Sequence, residues 1–327
     1  MVATIKDVAE AAGVSAATVS RVLAKKKGFY SESTAHRVRK IATSLGYEKN
    51  TSAVELVTQK SQVIGVIISS TRTNFSEKII DGIQDEAIKH NLSVIMLYAG
   101  QNNPELQERA LRTLIERAVK GILVVAIQLT DENLALLQGA QIPYRFLSTA
   151  YNSDRLPSIA SNDYQIGYQA TRYLIKRGHR KIGLVAMDTT DYIGQQRVAG
   201  YQAAMSEVKL PTNDEWIKVG MYTYEDGVRA MKSFGQQPDV TAIIGASDLA
   251  AIGVLNQAVQ FHIKVPDQLA IISIDGTYLA EIVRPQLTTV TQGFYDMGTL
   301  GTRMLLDQEN RTTSQFTPIK IETRQST

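Results

Sequence analysis

Arg197 and Asp275 carry the clearest chemistry in the larger part of this 327-residue chain. A guanidinium and a carboxylate brought to one place can each clamp neighbouring hydroxyl groups with paired hydrogen bonds. Ser69, Ser70, Ser148, Asn162, Asp163, Ser247 and Asp248 add hydroxyl, amide and carboxylate groups. Phe75 and Tyr222 add aromatic faces that can cover apolar C–H edges. These residues adjoin runs that read as β-strands, on the side of an open α/β sheet where ligands bind. Taken singly, most are as well explained by routine loop polarity. As a set they suit a polyol.

Enzyme signatures are absent. The chain holds no G-x-x-x-x-G-K-[ST], no G-x-G-x-x-G after a strand and no G-x-S-x-G. The four histidines, His36, His90, His179 and His262, lack metal-site spacing. With no cysteine there is no thiolate ligand and no disulfide. His179, after Arg177-Gly178 at a helix end, reads as a cap on helix carbonyls. No cofactor, no metal and no turnover are expected. No apolar run approaches the ~18 residues that cross a membrane, and no secretory signal opens the chain, so a cytoplasmic protein is expected. The net charge of +3 hides an asymmetry: residues 1–60 carry ten Lys/Arg against five Asp/Glu, and the rest carry 25 against 27. A basic head points to a polyanionic partner.

The head supplies a second kind of chemistry. Thr4 to Leu23, TIKDVAEAAGVSAATVSRVL, reads as two short helices with a tight turn. Ile5, Val8, Ala9 and Ala12 recur at helical spacing, Gly13 stops the first helix, and Ser15 caps the second, which carries Val19, Val22 and Leu23 inward. This is helix-turn-helix geometry, whose second helix lies in the DNA major groove. Its outer face keeps Ala16, Ala17, Ser20 and Arg21. Arg21 can donate two hydrogen bonds to a guanine, and alanine methyls can touch a thymine methyl. Lys25-Lys26-Lys27 then offers phosphate contacts. Ser31 or Ser33 opens a third helix through Val38, Ile41 and Leu45, which closes a small core. Asn50 caps the segment Thr51–Val57, too short to hold a helix alone in water. Leu56 is a candidate wedge for a minor-groove step; an ordinary linker explains the composition equally well.

From Val63 the character changes. A continuous apolar run, VIGVIIS, fits a strand buried on both faces. Strand and helix patterns then alternate to Tyr144–Leu147, and a second such set runs from Tyr164 to Ile274. Leu287–Val290, a helix Tyr295–Asp307 and a last strand Thr317–Glu322 follow. The alternation predicts two doubly wound parallel sheets in two similar lobes joined by several chain crossings.

These features together resemble the lactose-repressor family of bacterial transcription regulators over essentially the whole chain. The most specific parts are Thr4–Leu23, Leu45-Gly46-Tyr47 leading to Asn50, Arg177-Gly178-His179, Arg197-x-x-Gly200 and Pro285-x-Leu287-Thr288-Thr289. The resemblance implies an all-α helix-turn-helix head (1–48), a hinge (49–60) and an α/β body like a periplasmic sugar-binding protein (61–327). Within the body, lobe one would take 61–161 plus 291–320, and lobe two 162–290 plus 321–327. It further implies a homodimer on a palindromic operator, controlled by an effector between the lobes. The DNA-contacting set would be Thr4, Ser15, Ala16, Ala17, Thr18, Ser20, Arg21, Lys25, Asn50, Ala53 and Leu56. The effector set would be Ser69, Phe75, Ser148, Asn162, Arg197, Tyr222, Asp248 and Asp275. A sugar or sugar phosphate is the expected effector; a body that senses a phosphocarrier protein, or one that binds a nucleobase or nucleoside, are the alternatives. The chain departs from the family pattern at Val54-Glu55, where Arg or Gln is usual, at Ser148, where aspartate is common, and at Ser273-Ile274-Asp275-Gly276. No leucine heptads follow the last strand, so a coiled-coil tetramer is not expected.

Overall fold

The computed structural model describes residues 3–24, 29–47, 61–69, 74–100, 103–149, 156–307, 309 and 312–327. Lys25, Asn50, Ala53, Val54-Glu55, Leu56 and Ser70 lie outside the described residues. The chain divides into two compact units, Met1–Ser61 and Gln62–Thr327.

In the first unit, helix α1 (Ile5–Ala12) is opened by Thr4 and Asp7, each side chain bonded to the other's backbone N–H. This reciprocal cap satisfies two donors that a helix start leaves orphaned. Gly13, at φ 63°, ends the helix in the left-handed conformation. Ser15 caps α2 (Ala16–Leu23) by accepting the Thr18 N–H at 3.1 Å. Ser31, rather than Ser33, caps α3 (Glu32–Ser44) through the Thr34 N–H. Val8, Ala9, Ala12, Val19, Val22, Ala35, Val38 and Ala42 form the shared core.

The second unit holds two six-stranded sheets. The first is built from β1 (Val63–Ile68), β2 (Ser93–Tyr98), β3 (Gly121–Val125), β4 (Tyr144–Leu147), β5 (Ser158–Ala160) and a late strand, β11 (Gln315–Phe316). Their order is β11-β5-β4-β3-β1-β2, all parallel. The second is built from β6 (Ile182–Met187), β7 (Ile217–Val219), β8 (Ala242–Gly245), β9 (Ala270–Asp275), β10 (Thr288–Gln292) and β12 (Ile319–Glu322), in the order β12-β10-β9-β8-β6-β7. Here β12 alone runs antiparallel, on β10. Both sheets thus repeat a 2-1-3-4-5 order and add one edge strand. β1, β3, β6 and β8 are almost wholly apolar and buried, as central parallel strands covered on both faces must be.

Helices α4 (Ser76–Lys89), α5 (Pro104–Glu116), α6 (Asp131–Gly139) and α12 (Phe294–Leu306) belong with the first sheet. The second sheet takes α7 (Asp163–Lys176), α8 (Tyr192–Glu207), α9 (Tyr224–Phe234), α10 (Asp248–Gln260) and α11 (Leu279–Ile282). The chain crosses between lobes at Ser161–Asn162, at Gly293 and at Pro318. The crossings lie together: the Thr317 N–H donates to Ala160 O at 2.8 Å, and a Cβ on Gly293 would sit 3.2 Å from that of Thr317.

Two expectations change. The last strand, read as Thr317–Glu322, is the shorter β12 (Ile319–Glu322), and a separate strand that the reading lacked, β11 (Gln315–Phe316), precedes it in the other sheet; Pro318, with no N–H to donate, stands between the two. Thr291 and Gln292 pair with Lys320 and Ile319 in the second sheet, so these residues belong to lobe two rather than lobe one.

One buried charge in lobe one sets an acid response. Glu86 on α4 is 3% exposed and is held by Arg303 of α12 at 3.1 Å and by Lys89 at 3.0 Å. The Arg303 hydrogen bond lowers its carboxyl from 4.5 to about 2, against the opposing effect of burial. Its ionised form therefore contributes stability above pH 4.5 that is lost as pH falls from there towards 2. The expected result is that Glu86→Gln flattens this limb of an acid-unfolding curve; an unchanged slope between the two values would refute the assignment.

Candidate functional site

In sheets of 2-1-3-4-5 order, ligands lie beyond the strand C-termini where the order reverses, here between β1 and β3 and between β6 and β8. Arg197, on α8 just after β6, occupies the second of these points. Its Nε donates to Asp163 Oδ1 at 2.8 Å, and its Nη1 donates to the Ala246 carbonyl, just past β8, at 3.0 Å. Asp163 is the first residue of α7, so the ion pair ties the helix after the lobe crossing to the helix after β6. Both partners are buried.

Tyr222 lies beside this pair, its ring centroid 5.9 Å from the guanidinium carbon. Its hydroxyl donates to the carboxylate of Asp191, the N-cap of α8, at 3.0–3.1 Å. Ser247 caps α10 and also donates to the Tyr222 carbonyl at 2.6 Å. Asp275 ends β9 at φ 113° and accepts the Gln292 side-chain N–H at 2.8 Å. Ser148, Ala186 and Tyr222 also take positive φ, at 57°, 62° and 64°. Such backbone is costly for non-glycine residues and concentrates at functional sites.

Asp248 has a different task. Its carboxylate accepts from the Ser273 and Thr289 hydroxyls and from both the N–H and the hydroxyl of Thr277. These bonds fix the loop after Asp275. Asn162 is likewise occupied as the cap of α7, accepting the Gln165 N–H at 3.0 Å.

Electrostatically this wall is acidic. Burial, then the nearby Asp248 charge, pushes Asp275 well above the usual carboxylate range, with Arg197 pulling it back. Burial raises Asp163 and Asp191 as well. Burial opposes the charge on Arg197, yet Asp163, Tyr222 and Asp275 more than offset it. Burial lifts the Tyr222 phenol, which keeps it a neutral donor.

The structure thus brings together Arg197, Tyr222, Asp248 and Asp275. Ser69 is buried just after β1, and Phe75 stacks on Phe294 with centroids 5.0 Å apart. Ser148 donates its N–H to Ile159 O at 2.9 Å. Among the described residues, no hydrogen bond or ring contact joins these three to the Arg197 group. Sequence reasoning missed Asp191 and Gln292. For Asp191 the usable signal was its position as a helix N-cap before Tyr-Ile-Gly; Gln292 has no local signal. His179 caps the helix end through its backbone N–H, which donates to Leu174 O at 3.2 Å, rather than through its ring, whose Nδ1 meets the Thr241 hydroxyl at 3.0 Å; the Arg180 side chain adds a donor to Ile175 O at 3.1 Å.

On α2, Ala17, Ser20 and Arg21 are exposed, while Ala16 is half-buried against the head core. The Thr4 and Ser15 hydroxyls are engaged in caps, and Thr18 Oγ1 lies 2.9 Å from Ser15 Oγ. The Arg21 guanidinium stacks over the ring of Phe29, 5.1 Å from its centroid.

A helix-turn-helix head followed by a two-lobed body with a polar, charged wall at a switch point defines an effector-controlled DNA-binding regulator. Residues 4–50 match the family model for bacterial regulatory proteins of the lacI family, and residues 61–302 match that for periplasmic binding proteins and the sugar-binding domain of the LacI family. The chain belongs to the LacI family of transcription regulators. It is 33% identical to catabolite control protein A of Priestia megaterium over 99% of both chains. It is 34% identical to the HTH-type transcriptional repressor PurR of Vibrio parahaemolyticus, covering 94% of this chain and 92% of that one. Among solved structures, a transcription regulator from Lactobacillus plantarum is 45% identical with a TM-score of 0.76, covering 81% of this chain and 98% of that one. Among the described residues, no helix is long and apolar enough to cross a membrane.

Proposed function

We propose that this chain is a homodimeric repressor whose body binds an uncharged, polyhydroxylated effector, a sugar rather than a sugar phosphate. The observation that carries the reading is Arg197 at the β6/β8 switch point with Asp275, at the end of neighbouring β9, close enough to interact with its charge. Among the described residues Arg197 Nη2 donates to nothing and Asp275 Oδ2 accepts nothing, so a donor fork and an acceptor are left for vicinal hydroxyls. The surrounding Asp163, Asp191 and Asp248 outnumber the single guanidinium, which disfavours a phosphate at this wall. Coupling to DNA would run through the crossings. Gln292 holds Asp275 and immediately precedes the Gly293 crossing, so a ligand that moves Asp275 biases the lobe arrangement. The ligand acts through unequal affinity for the two arrangements. Residues 1–48 would read DNA, 49–60 link, and 61–327 sense. Exposed Val259, Tyr278 and Ile282 on and beside α10 and α11 offer an apolar face for a second copy.

The test is calorimetry on the full chain with neutral sugars, sugar phosphates and nucleosides, repeated with the duplex it selects from a random pool. Heat and altered DNA affinity with a neutral sugar are expected. Response to a phosphorylated sugar or a nucleoside alone would overturn the effector assignment. In the same assay Arg21→Ala should relax preference at one base pair by ~1–3 kcal/mol at fixed salt. Undiminished discrimination would remove Arg21 from base reading.

A further inference from the structure

We infer that Phe29 is a positioning residue for DNA readout, holding the Arg21 guanidinium in place before the duplex arrives. The inference rests on the reading of Arg21 as a base-contacting residue. Phe29 is 62% exposed, a large apolar side chain left in water outside the head core. It is anchored all the same. Its neighbour Tyr30 packs against the head core, and Ser31 is fixed as the cap of α3. Its ring is the recorded partner of Arg21: among the described residues, the guanidinium makes no ion pair or hydrogen bond.

The choice of partner has a chemical consequence. A carboxylate would hold Arg21 by its N–H donors and cancel its charge, and both would have to be given up to meet a guanine. An aromatic ring attracts the guanidinium through its face and leaves the in-plane N–H groups free. Those groups are the ones that reach guanine O6 and N7 together. A free arginine is among the side chains with most rotamer entropy to lose, and restricting it beforehand removes part of that cost from binding. Phe29 therefore acts through Arg21, on sequence preference, with little effect on the charge-driven affinity for any duplex.

The experiment measures binding of the full chain, at fixed salt, to its selected duplex, to that duplex with the Arg21-read base pair exchanged, and to random duplex. Phe29→Ala is expected to lower the preference for the intact site about two- to fivefold, the range of an exposed cation–π contact. Random-duplex binding should stay unchanged, Phe29→Tyr or Phe29→Trp should restore the preference, and the effect of Phe29→Ala should vanish in an Arg21→Ala background. An undiminished loss in that background would mean that the ring touches DNA by itself and would overturn the inference. So would an equal fall on random duplex, which reports a damaged head, or an unchanged preference in Phe29→Ala. If Arg21→Ala alone leaves the preference intact, the base-reading role fails first, and the two failures are told apart.

Discussion

Replacing Arg197 by alanine is expected to destabilise the body by about 3–5 kcal/mol and to abolish its response to effector, two losses that separate in a second variant. The stability loss comes from Asp163. It is 8% exposed, and its recorded partner is the Arg197 Nε at 2.8 Å. Removing one member of a buried pair leaves the other charge without compensation, which is the costly case. The sign of the pH dependence follows. Burial already raises the Asp163 carboxyl, and Arg197 is what opposes the rise. Without Arg197 the folded-state value climbs further above the unfolded one, so the variant regains stability as pH falls and loses it as pH rises. Adding Asp163→Asn removes the stranded charge and should recover most of the stability, because an amide needs only hydrogen bonds. It cannot restore the donor fork. Thermal unfolding and effector-linked DNA release, measured on both variants, divide the roles. If the double variant still responds to the effector, Arg197 is a structural residue and the assigned binding wall is wrong.

That division of labour shows where the sequence was readable. Arg197 stood out because it follows a strand in a chain of regular strand–helix alternation, and the switch-point rule needs no knowledge of partners. Gly13 and Ser15 were legible for the same reason: a helix stop and a helix cap are decided by local backbone chemistry. Asp248 is legible as a ligand-side residue from its place after β8. The ring of donors around it, from Ser273, Thr277 and Thr289, comes from more than twenty residues away in sequence, and no local pattern reports them. The Asp191–Tyr222 pair spans 31 residues and was hidden likewise. The two-residue β11 before Pro318 was illegible because Gln315–Phe316 is too short to show strand alternation, and its partner β5 lies more than 150 residues away.

Gly200→Ala is expected to destabilise lobe two by about 1–3 kcal/mol or more and to weaken effector binding, although the glycine touches no ligand-facing atom. A methyl at Gly200 would lie 2.1 Å from the Tyr164 carbonyl oxygen, and one at Gly167 would lie 2.0 Å from that of Arg197. Both contacts are backbone, which cannot swing aside as a side chain can. The two glycines face each other across α7 and α8, so each helix passes the other at backbone distance. The same reciprocal pairing recurs at Gly82 and Gly298 across α4 and α12, and at Gly227 and Gly253 across α9 and α10. Asp163 rides on α7 and Arg197 on α8, and their 2.8 Å hydrogen bond is possible only at that separation. Prying the helices apart weakens the ion pair and shifts the guanidinium away from the Asp275 charge it interacts with. The control is Gly139→Ala at the end of α6, where an added methyl meets nothing within 4 Å and φ is not positive. There the smaller entropy of the unfolded chain should leave stability unchanged or slightly improved. A fall in Tm of several degrees for Gly200→Ala beside an unchanged or higher Tm for Gly139→Ala, with a matching fall in effector affinity only in the former, is the expected pair of results. Equal behaviour of the two variants would mean that α7 and α8 have slack the packing does not show, and that the close glycine contact does not hold the binding wall in register.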